Sequence, residues 1–170
     1  TASAHKHAFV REQGCDHIID YRTLDYATEI RRLTNGRGVN VILDALGGKD
    51  WKKGYDLLAP AGILIGFGFA NMNSGGGKRK LWHMANQAVR IPLYTPLKLM
   101  GDNRGVVGVN MGHLWGEMSL LRAALERVIE LYSEGKISPH LEAAVPFERA
   151  ADAHRLLETG KNIGKVVLVP

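Results

Sequence analysis

The run Gly38-Val-Asn-Val-Ile-Leu-Asp-Ala-Leu-Gly-Gly48 constrains this chain more than any other stretch. Val39 to Leu43 is mostly apolar and β-branched, the signature of a strand buried on both faces, as in a parallel sheet. The strand opens into a glycine turn, and a helical stretch follows. In open α/β sheets, ligands bind just outside such strand ends.

The flanking chain repeats the design. Ser3 is placed to cap a helix over about Ala4 to Gln13, with Gly14 as its stop. Asp16 to Asp20 reads as a short strand. Asp25 caps a second helix with Tyr26, Ile30 and Leu33 on one face, ended by Asn35-Gly36. A helix from Lys49 to Leu58 is closed by Pro60 and Gly62, and Ile63 to Phe69 is an apolar strand. A polar, glycine-rich loop spans Asn71 to Lys80. Leu81 to Arg90 reads as helical, and Pro92 and Pro96 frame a short helix ending near Gly101. Val106 to Asn110 is a further strand. The longest helix, Glu117 to Ser133, carries an apolar stripe of Leu121, Leu125, Val128 and Tyr132. Beyond Pro139, Leu141 to Pro146 is extended, Glu148 to Glu158 is helical, and Lys165 to Val169 is a terminal strand. Strands alternating with helices imply βαβ units and a parallel sheet.

Composition narrows the function classes. A hydrophobic content of 45% over 170 residues supports a folded core. The net charge of +5 suits an anionic cofactor as well as nucleic acid. No run of basic and aromatic residues forms a nucleic-acid module, so no nucleic-acid partner is expected. Cys15 is the single cysteine, which rules out an intramolecular disulfide and a cysteine-based zinc cluster. His5 and His7 stand two apart, which is neither a helical pair nor a zinc spacing, and no metal site is expected. No apolar run has the length of a membrane span and no signal peptide opens the sequence, so a cytoplasmic location is expected. The phosphate-loop and dinucleotide-turn patterns are both missing. Gly75-Gly-Gly-Lys-Arg-Lys80 has the wrong spacing for the former.

Taken together, Thr1-Ala-Ser3 followed by Lys6, Ile19-Asp-Tyr-Arg22, Asp44-Ala-Leu-Gly-Gly48, Gly66-Phe-Gly68 and Gly164-Lys-Val-Val-Leu-Val169 resemble the medium-chain dehydrogenase/reductase superfamily. Within it the chain is similar to the zinc-independent, zeta-crystallin-like quinone oxidoreductases. Gly54-Tyr-Asp-Leu-Leu58, Lys78-Arg79, Asn103-Arg104 and Ile163-Gly-Lys165 point to the vesicle amine transport protein homologue group. The resemblance implies an α/β fold: a Rossmann-like parallel sheet with helices on both faces, lacking the first strands and the glycine-rich turn between them. It implies a partial cofactor-binding domain over 1–138, and a segment over 139–170 returning toward an absent catalytic domain. The implied activity is hydride transfer from NADPH to a quinone or enone-type carbonyl substrate. The alternative is a truncated, non-catalytic module acting in dimerisation or assembly.

The resemblance also assigns site residues. Ser3, Lys6 and Tyr21 would hold the 2′-phosphate of NADP(H), for which ammonium and hydroxyl donors are suited. Leu46, Gly47 and Gly48, then Gly66, Phe67 and Gly68, would line the pyrophosphate or nicotinamide ribose, where glycine allows close backbone approach. Asn110 would pass the nicotinamide carboxamide, and Asn162 and Lys165 would touch the cofactor where the chain returns. Asp44 is expected to order the local backbone. No general acid, base or nucleophile is assigned, since in such reductases the cofactor carries the hydride chemistry. A homodimer through the Val106–Val109 edge strand is expected. The absent strands would leave Val39–Leu43 with an open edge, so either Asp16–Asp20 shifts to pair with it or another chain fills the gap.

Overall fold

The computed structural model describes residues 1–72 and 89–170. Two compact units divide the chain, one built from Ile19–Leu114 and the other from Ala2–Ile18 with Trp115–Pro170. Among the described residues the helices are α1 (His7–Glu12), α2 (Tyr26–Leu33), α3 (Lys49–Tyr55), α4 (Pro96–Asp102), α5 (Met118–Ser133) and α6 (Ala150–Glu158). The strands are β1 (Val39–Asp44), β2 (Leu58–Gly66), β3 (Gly105–Gly108), β4 (Leu141–Pro146) and β5 (Lys165–Val169).

In the first unit β1, β2 and β3 lie side by side in that order, all parallel. Val41 stands beside Ile63, and Leu64 beside Val106. Parallel neighbours need crossovers, and α3 supplies the first of them. Its aromatic residues Trp51 and Tyr55, one helical turn apart, reach the sheet face of Ile42, Leu64 and Val106. Tyr55, Leu58 and Leu64 are fully buried there, with Tyr94 and Leu99 packed against them. The opposite sheet face carries Val41 and Leu43, exposed at 56% and 69%, beside Ile63 and Val107, which are also exposed.

Asp25 caps α2 as expected, accepting from the Thr28 backbone N–H at 3.1 Å. Lys53 of α3 pairs with the same carboxylate. The Lys53 bond, then those of Thr28, hold the Asp25 carboxyl down at about 2. A carboxyl lowered on folding stabilises above its ordinary range, and that contribution fades as pH falls toward the lowered value.

Several elements differ from the sequence reading. Asp16–Asp20 forms no strand. Asp20 starts a turn instead, its carboxylate accepting from Arg22 N at 3.0 Å and its carbonyl from Leu24 N at 2.9 Å. A strand exists only through a ladder partner, and among the described residues none pairs with this segment. Ser3 does not cap α1: a single 3₁₀ turn, Ala4–Lys6, comes first, and the Ser3 hydroxyl bonds to His5 Nδ1 at 3.3 Å. Helix α3 stops at Tyr55, three residues early, and β2 starts at Leu58. Pro60 and Gly62 are therefore not helix stops. They sit in a bulge where the register to β1 jumps, with Ala61 at φ +61° donating its N–H to Asn103. A bulge is where a strand tolerates proline. β2 ends at Gly66 rather than Phe69, and β3 ends at Gly108, leaving Asn110 beyond it. The Gly75–Lys80 loop, with Lys78 and Arg79, and positions 81–88 of the expected Leu81–Arg90 helix lie outside the described residues.

In the second unit β4 and β5 pair in parallel, with α6 as their crossover. The Phe9 ring of α1 packs on His140 with centroids 4.9 Å apart. The α5 stripe is present, with Leu121 half-buried and Leu125, Val128 and Tyr132 exposed.

Among the described residues no strand pairs with the outer edge of β1. Amides on that edge are expected to exchange with solvent faster than those of Leu64 and its neighbours in the middle strand. Residue-resolved hydrogen exchange checks this, and equal protection across β1 and β2 would show the edge covered.

Candidate functional site

The three parallel strands end together, and their following turns are laced to one another. Asp44, the last residue of β1, is 8% exposed. Its Oδ1 accepts the backbone N–H of Leu46 at 2.8 Å and of Gly47 at 2.7 Å. Two successive backbone donors are thereby consumed inside the turn, so Leu46 and Gly47 cannot offer them to an anion. Gly47 and Gly48 follow at φ +73° and +64°, a conformation that favours glycine.

Strand-end carbonyls then bind the next loop. Phe67 N donates to Asp44 O and Ala70 N to Ala45 O, while Val109 N donates to Gly66 O. The approach is close: a Cβ on Gly68 would stand 2.6 Å from the Ala45 carbonyl oxygen. The glycine set thus has a first duty in loop-to-loop packing. Asn71 completes the lacing, donating from Nδ2 to Gly47 O at 3.2 Å and to the Asp50 carboxylate at 2.6 Å. The Tyr26 hydroxyl donates to the other Asp50 oxygen at 3.1 Å. Burial, then the Asp50 charge, pushes the Tyr26 hydroxyl above its usual range.

Beside these turns lies a cleft of about 600 Å³. Its floor is Leu64, Gly66 and Val106, and its rings are Trp51, Phe67, Phe69 and Tyr94. Trp51 and Phe69 meet edge to face at 5.2 Å. The Tyr94 hydroxyl is fixed by donating to Trp51 O at 3.1 Å, and burial raises its pKa. Such walls suit a flat, apolar ring.

The cleft and its turns gather Leu46, Gly47, Gly48, Gly66, Phe67, Gly68 and Asn110 at one end of the sheet. Asn110 spends its side-chain oxygen on the Gly112 N–H at 3.0 Å. Tyr21 belongs to the same unit, half exposed in the turn after Asp20 and outside the cleft lining. Ser3, Lys6, Asn162 and Lys165 belong to the other unit. There Ser3 is buried and Asn162 bonds to Gly164 O at 2.9 Å, while exposed Lys165 opens β5. Sequence reasoning missed Trp51, Tyr94 and Phe69. The four-residue spacing of Trp51 and Tyr55 was the available signal for one aromatic helix face.

The family model for zinc-binding dehydrogenases matches residues 13–168. The human synaptic vesicle membrane protein VAT-1 homolog is 42% identical over 170 residues, all of this chain and 43% of that protein. A 2-haloacrylate reductase of Burkholderia is 28% identical, over 94% of this chain and 44% of that enzyme. The crystal structure of the human VAT-1 homolog-like protein superposes with a TM-score of 0.72 at 26% identity, covering 99% of this chain and 43% of that one. The chain therefore spans well under half the length of these relatives. The Rossmann-like α/β fold expected from the sequence is the fold observed. Among the described residues no three His, Cys, Asp or Glu side chains gather to hold a metal ion. The Cys15 thiol donates to His17 O. No helix among the described residues is long and apolar enough to cross a membrane.

Proposed function

Because this chain belongs to the zinc-binding dehydrogenase family of the medium-chain dehydrogenase/reductase superfamily, we propose that it is the NADP(H)-binding part of a quinone oxidoreductase-like reductase that works without zinc. The observation that carries this reading is the convergence of three parallel strand ends on one aromatic cleft, the place where open α/β sheets take nucleotides. Bound NADPH supplies the hydride, and a quinone or enone-type carbonyl compound accepts it. The chain's own residues orient and dehydrate. Gly66 lets the Trp51 indole lie against the strand end, and Gly68 lets its loop close on the Ala45 carbonyl. Trp51, Phe69 and Tyr94 keep water out, and Asp44 holds the first turn rigid. Because its amides are consumed, that turn lines the nucleotide through its backbone surface rather than by gripping a phosphate. Tyr21, half exposed in the turn after Asp20, is the proposed 2′-phosphate contact.

The exposed Val41 and Leu43 and the open edge of β1 favour a second role in assembly. An apolar strand edge calls for a cover, which the remainder of a longer protein would supply, and β3 would pair across a dimer. A cytoplasmic setting is proposed with the reductase reading.

Calorimetric titration with NADPH and NADH tests the nucleotide assignment. NADPH is expected to bind at least about tenfold more tightly, the worth of one charge-assisted contact to its extra phosphate. Tyr21→Phe is expected to narrow that gap. Equal affinities, or no binding of either, would overturn it.

A further inference from the structure

Asp50 holds two separate elements with one carboxylate. It lies in the first turn of α3, and one of its oxygens accepts the Tyr26 hydroxyl of α2 at 3.1 Å. The other accepts Asn71 Nδ2 at 2.6 Å, and the same amide nitrogen donates to Gly47 O at 3.2 Å. A primary amide carries two N–H hydrogens, so both bonds form together. Asn71 is pinned a third time by its backbone N–H, which donates to Leu46 O at 2.9 Å. It closes the loop that leaves β2 at Gly66, and Phe67, Gly68 and Phe69 of that loop line the cleft. Tyr26 and Asp50 do not line it. The Tyr26 ring is itself held: Lys53 Nζ lies 3.9 Å from its centroid and is bound to Asp25, the N-cap of α2. A path of hydrogen bonds thus runs from α2 through α3 to one wall of the cleft.

We propose that Tyr26 and Asp50 are positioning residues for the cleft: through Asn71 they set where the Phe67–Phe69 loop stands. A hydroxyl donating to a carboxylate makes a short, charge-assisted bond, and here it fixes the rotation of the Asp50 side chain. Without that hydroxyl the carboxylate turns more freely, the Asn71 amide follows it, and the loop follows the amide. The loop is short enough to carry the change. β2 holds one end, Asn71 holds the other, and Gly68 is pressed so close to the Ala45 carbonyl that a Cβ would stand 2.6 Å from its oxygen. Phe69 then passes the shift to Trp51, which it meets edge to face at 5.2 Å. If Tyr26 served only to anchor α2 on α3, its loss would lower stability and leave the cleft as it was. The proposal deepens the reductase reading, and it rests on that reading only for the claim that the cleft takes a nucleotide.

Backbone amide signals of the isotope-labelled 170-residue chain read the loop with no ligand added. Tyr26→Phe keeps the ring and removes one oxygen, and it is expected to displace the Gly68 and Phe69 signals. Thr34→Val is the control for a purely structural role. The Thr34 hydroxyl donates to Ile30 O at 2.8 Å and accepts Gly38 N at 3.0 Å, at the far end of α2. Its loss is expected to lower stability and to leave the Gly68 and Phe69 signals in place. Asp50→Ala removes both bonds of the hub. Tyr26→Phe added to it is expected to move the two signals no further, as for members of one connected path. In calorimetric titration Tyr26→Phe is expected to weaken NADPH about fivefold, and Thr34→Val to leave its affinity unchanged. Unmoved loop signals in Tyr26→Phe, equal displacement by Thr34→Val, or full additivity in the double variant overturns the proposal. So does a Tyr26→Phe chain that binds NADPH as tightly as the parent protein. If the parent protein takes up no NADPH while Tyr26→Phe alone displaces the loop signals, the positioning stands and the nucleotide reading falls by itself.

Discussion

Tyr55→Ala is expected to lower the stability of the first unit by about 3–5 kcal/mol, the range for losing a buried aromatic side chain. The residue is 2% exposed and lies at the centre of the helix-to-sheet core. Its ring meets Tyr94 at 4.7 Å, with Lys98 and Arg104 above it at 5.2 and 5.5 Å. Truncation would open a cavity walled by Leu64, Leu99 and Tyr94, which the surrounding β-strands can fill only in part. The loss is a large share of a typical domain's total. Tyr55→Phe separates packing from hydrogen bonding. It keeps the ring and removes only the donor to Asp102 Oδ2 at 2.8 Å, a smaller loss of about 1 kcal/mol. Lys98, then Tyr55 itself, hold the Asp102 carboxyl below the usual range. The Asp102 contribution is therefore complete above the ordinary carboxyl range and fades as pH falls through the lowered value. The gap between Tyr55→Phe and the parent protein should narrow in acid. Urea unfolding followed by aromatic fluorescence reads both variants, and a loss under about 1 kcal/mol for Tyr55→Ala would place the core elsewhere.

The sequence carried the parts of this structure that are local. β1 was legible because an apolar, β-branched run between glycines has few other uses, and the Asp25 cap because its chemistry lies within four residues. What depends on a partner was not legible. Asp16–Asp20 has a strand's pattern, yet a strand needs a neighbour, and nothing in five residues says whether one exists. Pro60 and Gly62 read as stops, but a bulge needs the same residues. The site divides in the same way. Asp44 and the glycines announced a strand-end turn. The cleft walls come from α3, from the end of β2, from the stretch before α4 and from β3, so no window of sequence shows them together. The glycines were legible as close-approach positions, while the nearest thing they approach is another loop: a Cβ on Gly47 would lie 3.1 Å from Gly68 O.

Asp44→Ala is expected to cost about 2–4 kcal/mol, because it strands two inward-facing backbone donors, each worth about 1–3 kcal/mol when left unpaired. The Leu46 and Gly47 N–H groups both end on one carboxylate oxygen, so no second acceptor takes up the loss. Asp44→Asn keeps a carbonyl oxygen in that place and should be far milder, about 1 kcal/mol. The turn also bears on binding. Its carbonyls hold the loop after β2 through Phe67, Ala70 and Asn71, so a loosened turn releases one wall of the cleft. Ring ligands should weaken in Asp44→Ala more than in Asp44→Asn. The same geometry supplies a control that ordinary destabilisation would not reproduce. Removing the carboxylate leaves two convergent N–H groups and an anion-sized space, a small nest of the kind that binds oxyanions. Formate at tens of millimolar should therefore restore part of the stability of Asp44→Ala and leave the parent protein unchanged. Urea midpoints measured with and without formate decide it. If formate has no effect on the variant while its midpoint has fallen, the loss lies outside these two bonds, and the account of Asp44 as the anchor of the strand-end turn fails.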